Sequence, residues 1–107
     1  MYGIIRHYDT KKLSKADISS FKQRIEEKFV PIAQEIPGFH GYVVLNSGDK
    51  DLFSISIFEN REGATESTRR AAQFVQGDPL KDQVGKPEVF EGEILVSREA
   101  SALAGKR

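Results

Sequence analysis

Positions 52–58 read LFSISIF, and positions 59–75 read ENREGATESTRRAAQFV. The first stretch alternates with period two. Phe53, Ile55 and Ile57 point one way and Ser54 and Ser56 the other, the pattern of a half-buried β-strand. The second stretch reads as a helix. Asn60 is a favoured N-cap, Glu62 sits in the first turn, and Gly77 with Pro79 ends the element. Its inner stripe, Ala64, Thr68, Ala71, Ala72 and Val75, is narrow and built of small side chains. A strand running straight into a helix is half of an α+β unit, and the rest of the chain supplies the other half.

Three further runs read as strands: YGIIRHY (2–8), FHGYVVL (39–45) after a Pro-Gly turn signal, and VFEGEILV (89–96). NSGDKD, between the second and third strands, suggests an antiparallel hairpin. A longer helix begins near Ser14, where Ser14 and Asp17 have capping-box spacing. Ile18, Phe21, Ile25, Phe29, Ile32 and Ile36 then form one apolar stripe. Pro31 falls inside it and lacks a backbone donor, so a kink or broken turn is expected there. The order is β-α-β-β-α-β. That is the ferredoxin-like pattern, a four-stranded antiparallel sheet with both helices on one face. It forms one domain over 1–97, followed by a flexible tail over 98–107.

The chain has 107 residues, 16 basic and 16 acidic. The length favours a single domain with a modest core. Balanced charge argues against a nucleic-acid or anionic-membrane partner. No run approaches the roughly 20 apolar residues of a membrane span. Cysteine is absent, which removes disulfides, thiolate metal sites and a cysteine nucleophile. The N-terminus is too polar for a signal peptide, and a cytoplasmic protein is expected. No zincin, EF-hand, P-loop or dinucleotide motif occurs, so no metal and no cofactor is expected.

The apolar sets Phe53/Ile55/Ile57, Phe39/Val43/Leu45 and Phe90/Ile94/Val96 are expected to lie under the helices. The opposite face would then hold His40, Tyr42, Val44, Phe58, Val89 and Leu95. Aromatic and aliphatic groups on an open sheet face point to a partner surface, and a homodimer is expected.

Together IPGFHGYVVL, LFSISIFEN and REGATESTRRAAQFV resemble the dimeric α/β-barrel superfamily, and within it the antibiotic-biosynthesis monooxygenase-like branch. The resemblance spans about positions 2–96. It implies two sheets packed face to face between two subunits, and a cleft between helices and sheet for small, often aromatic molecules. Some members oxidise phenolic polyketides with molecular oxygen and no cofactor, others degrade haem, and others have no demonstrated catalysis. Haem-degrading members use an asparagine on the first strand, a tryptophan, and a histidine on the second helix. Here the nearest first-strand residue is His7, tryptophan is absent, and the second helix has no histidine.

The candidate residues follow from side-chain chemistry. His7 is a candidate base near neutral pH, or else a hydrogen-bonding group at a subunit interface. Arg69 and Arg70 are candidates to hold an anionic or phenolic oxygen, or else partners of Glu66 in surface ion pairs. Thr68, Tyr42 and Phe74 are candidate cleft walls for an aromatic ligand. Three readings remain: an oxygenase-like enzyme, a binding module using the same cleft, and a structural dimer without a ligand.

Overall fold

A computed structural model describes residues 1–98, so all but Arg98 of the tail read over 98–107 lies outside the described residues. The elements run β1 (Tyr2–Asp9), α1 (Lys15–Arg24), a π-helical turn (Ile25–Phe29), α2 (Val30–Glu35), β2 (Phe39–Ser47), β3 (Asp51–Phe58), α3 (Arg61–Gln76), α4 (Lys81–Val84) and β4 (Glu88–Glu93). The sheet order is β2-β3-β1-β4, antiparallel throughout. This is the ferredoxin-like α+β arrangement. No helix among the described residues is long and apolar enough to cross a membrane.

Local chemistry sets the element boundaries. The Ser14 hydroxyl accepts from the Asp17 N–H, and the Asp17 carboxylate accepts from the Ser14 N–H, closing a capping box. The Asn60 side chain accepts from the Gly63 N–H and starts α3. Gly48 and Asp49 both have positive φ, and the Lys50 N–H donates to the Ser47 carbonyl, giving a tight hairpin turn of the mirror-image type. The Pro31 position does not break its helix. The π-helical turn just ahead of it, where the Val30 N–H reaches back to the Ile25 carbonyl, widens the backbone, and α1 and α2 continue through it. The single turn α4 was not anticipated after Pro79; it buries Val84.

The expected sheet polarity is corrected. The face under the helices carries Ile4, Arg6 and Tyr8 of β1 and Leu52, Ser54, Ser56 and Phe58 of β3, all buried. Phe53, Ile55 and Ile57 stand on the opposite face, with Ile5, Val43, Leu45 and Phe90. Phe39 remains on the helix side because an irregularity between Phe39 and Gly41 shifts the register. Alternation fixes which residues share a face, but not which face is covered. Here the helices bring their own filling, led by Phe21, Phe29 and Ala64, and the buried serines serve a charged group on β1.

β4 ends at Glu93 rather than Val96. Its partner β1 begins at Tyr2, so beyond the bond from the Ile94 N–H to the Met1 carbonyl the ladder has no further backbone to pair with. Leu95 and Val96 are consequently exposed.

Candidate functional site

Between the sheet and the helices lies a layer of aromatic rings. Phe74 of α3 is stacked on Phe21 of α1 at 6.0 Å and tilted against Phe29 at 5.7 Å, and Phe29 meets Tyr42 of β2 at 5.4 Å. On the β2 side lies a cleft of about 660 Å³ walled by Ile18, Ile25, Val30, Tyr42, Val44 and Leu52, of which Tyr42 also belongs to the aromatic layer. Polar side chains, among them Lys22, Glu26 and Asn46, lie at its edges. The volume is that of a small-molecule pocket. The π-helical turn supplies Ile25 and Glu26 to the wall, and Val30 follows it directly. Burial pushes the Tyr42 hydroxyl up to about 12; the Arg6 charge pulls the other way and does not prevail. Tyr42 is therefore a neutral hydroxyl at physiological pH.

Further in, a void of about 20 Å³ between Tyr42, Phe74, Phe29 and Tyr8 connects the layer toward β1. There lies a residue the sequence reading passed over. Arg6 is only 1% exposed. Its Nη1 donates to Ser54 Oγ at 3.0 Å and Ser56 Oγ at 3.3 Å, and its Nη2 donates to Ser67 Oγ at 2.7 Å. Ser67 Oγ in turn donates to the Ala64 carbonyl at 2.7 Å. The Arg6 Nε has no hydrogen-bond partner, and no carboxylate pairs with the guanidinium among the described residues. Burial lowers its pKa, opposed by Tyr8 and Tyr42, yet a guanidinium keeps its proton. The signal in the sequence was an arginine at an even, inward position of an apolar strand, with serines at the matching inward positions of β3.

The remaining sequence candidates separate. Tyr42 and Phe74 share the aromatic layer. Thr68 lies on the far side, beside Arg6, with its Oγ1 buried and unpartnered. Arg69 and Arg70 both bind Glu66, Arg69 through Nε at 2.8 Å and Nη2 at 2.7 Å and Arg70 through Nε at 2.9 Å. The Arg69 and then the Arg70 hydrogen bonds hold the Glu66 carboxyl down at about 2. Both arginines are thus engaged at the surface and do not line the cleft.

His7 is on the other face of the sheet. It stacks on Phe53 at 4.6 Å, with Nε2 2.7 Å from Asp51 Oδ1 and Nδ1 2.9 Å from Glu88 Oε1. Odd-numbered positions of β1 face away from the helices, so His7 and the two α3 arginines lie on opposite sides of the sheet. His40, at the register irregularity, bonds Glu59 at 2.6 Å. Among the described residues no three His, Asp or Glu side chains converge as a metal site.

No protein-family model matches the sequence, and no curated protein matches it significantly. Solved structures match over nearly the full chain. NE2512, a protein of unknown function from Nitrosomonas europaea, is 14% identical with a TM-score of 0.71, over 94% of this chain and 95% of that one. A mutant of SnoaB, a cofactor-independent oxygenase from Streptomyces nogalater, is 11% identical with a TM-score of 0.64, over 90% and 94%. The fold is that of the antibiotic-biosynthesis monooxygenase-like proteins. A dimeric ferredoxin-like protein from an uncultured marine organism is 13% identical with a TM-score of 0.67, over 94% and 92%. At such identities the likeness speaks for the fold alone.

Proposed function

We propose that this protein binds a small aromatic molecule in the cleft between helices and sheet, as a homodimer of the monooxygenase-like fold. The observation that carries the reading is the cleft of about 660 Å³ with apolar walls and the Tyr42 ring among them. Apolar walls with one neutral hydroxyl suit an aromatic ring bearing a phenol or carbonyl. SnoaB is a cofactor-independent oxygenase, and the catalytic version of this reading is oxidation of such a ring by molecular oxygen. Two features favour binding without turnover: neither histidine faces the cleft, and the Tyr42 hydroxyl stays protonated near neutral pH and so supplies no base. An oxidation here would need a substrate acidic enough to ionise by itself.

A second copy would cover the open face bearing Ile5, Val43, Leu45 and Phe90.

The test is a panel of phenols and quinones, read by thermal unfolding and by oxygen uptake. A ligand that raises Tm, and fails to do so in Ser19→Trp at the cleft mouth, supports the site. Oxygen uptake lost in the same variant makes the protein an oxygenase, and stabilisation without uptake makes it a binding module. No stabilisation by any member would leave a structural dimer.

A further inference from the structure

The register of the sheet gathers the charges of its open face at one end. Val43, Ile55, Ile5 and Phe90 align in one row across the strands, and Leu45, Phe53, His7 and Glu88 in the next. Beyond them the same face ends on Asp9 opposite Asp51. Among the described residues no strand position of this face holds a lysine or arginine. His7 is the one strand residue there that can carry a positive charge.

That charge is what the cluster needs. His7 Nε2 lies 2.7 Å from Asp51 Oδ1 and Nδ1 lies 2.9 Å from Glu88 Oε1. A neutral imidazole has a single N–H and donates once, so only the imidazolium donates to both acids. Once its proton leaves, one carboxylate faces a ring lone pair and two negative charges go unanswered. The neighbours do not compensate. Asp9 is engaged by Lys11, through the backbone N–H at 3.0 Å and Nζ at 3.8 Å. β2 offers Leu45 and Ser47, which do not titrate here, and Lys86 lines the cavity on the helix side. In a single chain, water answers instead: the Glu88 side chain is 69% exposed and that of Asp51 39%.

A second copy laid on this face removes that water. It brings to the cluster either its own apolar rows or its own acids. The first desolvates the carboxylates and the second repels them, so both orientations penalise an uncharged His7. We propose that His7, Asp51 and Glu88 form a pH-sensitive latch of the homodimer, closed by the imidazolium and opened when the ring loses its proton. The latch rests on the reading of this face as the dimer surface. Its sign follows from linkage. The dimer favours the protonated ring, so affinity falls as pH rises through the folded His7 value, which the bonds to Asp51 and then Glu88 place above the ordinary one near 6.5.

The test is sedimentation equilibrium of the full chain at about pH 6 and about pH 9, either side of an ordinary or raised histidine value, with folding followed by far-ultraviolet dichroism. The dimer Kd is expected to rise at least about tenfold between the two. His7→Gln keeps an amide donor and cannot charge, so it should give a weak Kd at both. Asp51→Asn combined with Glu88→Gln removes the two acids and should stay tight at about pH 9. His40→Gln, beside Glu59 and outside the cluster, should keep the tenfold rise. A dimer of equal affinity at both pH values overturns the latch and leaves the dimer reading standing. A rise of the same size in His7→Gln or in the double variant, or its loss in His40→Gln, also overturns the latch. A monomer at both pH values overturns the dimer reading and the latch with it. Where His7→Gln fails to fold, the double variant decides: a tight dimer at about pH 9 upholds the latch, and a tenfold weakening there overturns it.

Discussion

Arg24 and Asp78 meet end to end. Arg24 Nε donates to Asp78 Oδ1 at 2.7 Å and Nη2 to Oδ2 at 3.0 Å, tying the end of α1 to the turn after α3. Asp78 Oδ2 also accepts from the Leu80 N–H, which sets the start of α4. The Asp78 carboxylate is buried while Arg24 is partly in water. Arg24→Ala should therefore cost about 2 to 4 kcal/mol in urea unfolding, because it strands a buried charge. Burial alone would raise the Asp78 pKa, but the Arg24 and Leu80 hydrogen bonds outweigh it and the net shift is downward. A depressed carboxyl adds stability that is present above its unfolded value, near 4, and lost as pH falls through the folded value. Arg24→Ala should flatten that acid-side loss; an unchanged acid profile would remove the pair from the account.

Gly63 should not tolerate a methyl group. A Cβ there would sit 2.7 Å from Phe58 Cδ1 and 3.0 Å from Cγ, and Phe58 is fully buried in the sheet. On an open helix Gly→Ala gains about 1 kcal/mol. Here overpacking should reverse the sign, with Gly63→Ala losing about 1 to 2 kcal/mol by chemical denaturation. A stabilised Gly63→Ala would mean that α3 does not approach β3 this closely.

The element order, both N-caps and the hairpin were legible because each has a local cause: Ser14 with Asp17, Asn60 ahead of Gly63, Gly48 with Asp49. Sheet polarity was not, since Phe53/Ile55/Ile57 looks like a core row, and only tertiary packing reveals that Ser54 and Ser56 lie beneath α3. The cleft was legible only in part. Tyr42 and Phe74 have sequence signals as aromatics, and both line the layer. Arg69 and Arg70 stood out by charge, yet three- and four-residue spacing from Glu66 satisfies them on the surface. Arg6 has no motif at all. Its role arises from pairing opposite Ser54 and from α3 bringing Ser67 across, relations distant in sequence. The π-helical turn likewise answers Pro31 in a way that periodicity does not encode.

His7 should make stability fall at rising pH. Hydrogen bonds that the His7 ring N–H groups donate to Asp51 and then Glu88 raise its pKa above the ordinary histidine value near 6.5. A raised folded pKa contributes stability that is fully present below the unfolded value and is lost as pH rises through the folded one. Melting curves should therefore show a step down on the alkaline side of pH 6.5. His7→Gln should remove the step while leaving the Phe53 contact largely filled. A step of the same size in His7→Gln would assign it to another group.

The open sheet face should hold two chains together. Val43 and Phe90 are each 56% exposed and Leu45 is 54%, on a surface where Ile5, Ile55 and Ile57 complete a continuous apolar row. A β-sheet face of this kind left in water costs about 25 cal/mol for each Å² of apolar surface, which a second copy would remove. By light scattering at micromolar concentration the protein should weigh twice its 12.0 kDa chain. Val43→Glu puts a charge in the middle of that face and should yield a folded monomer with unchanged far-ultraviolet dichroism. Gln73→Glu, a change of the same kind on the exposed side of α3, should leave the dimer intact. A monomeric unaltered protein, or a Val43→Glu dimer of undiminished affinity, would mean that this face meets something other than its own copy.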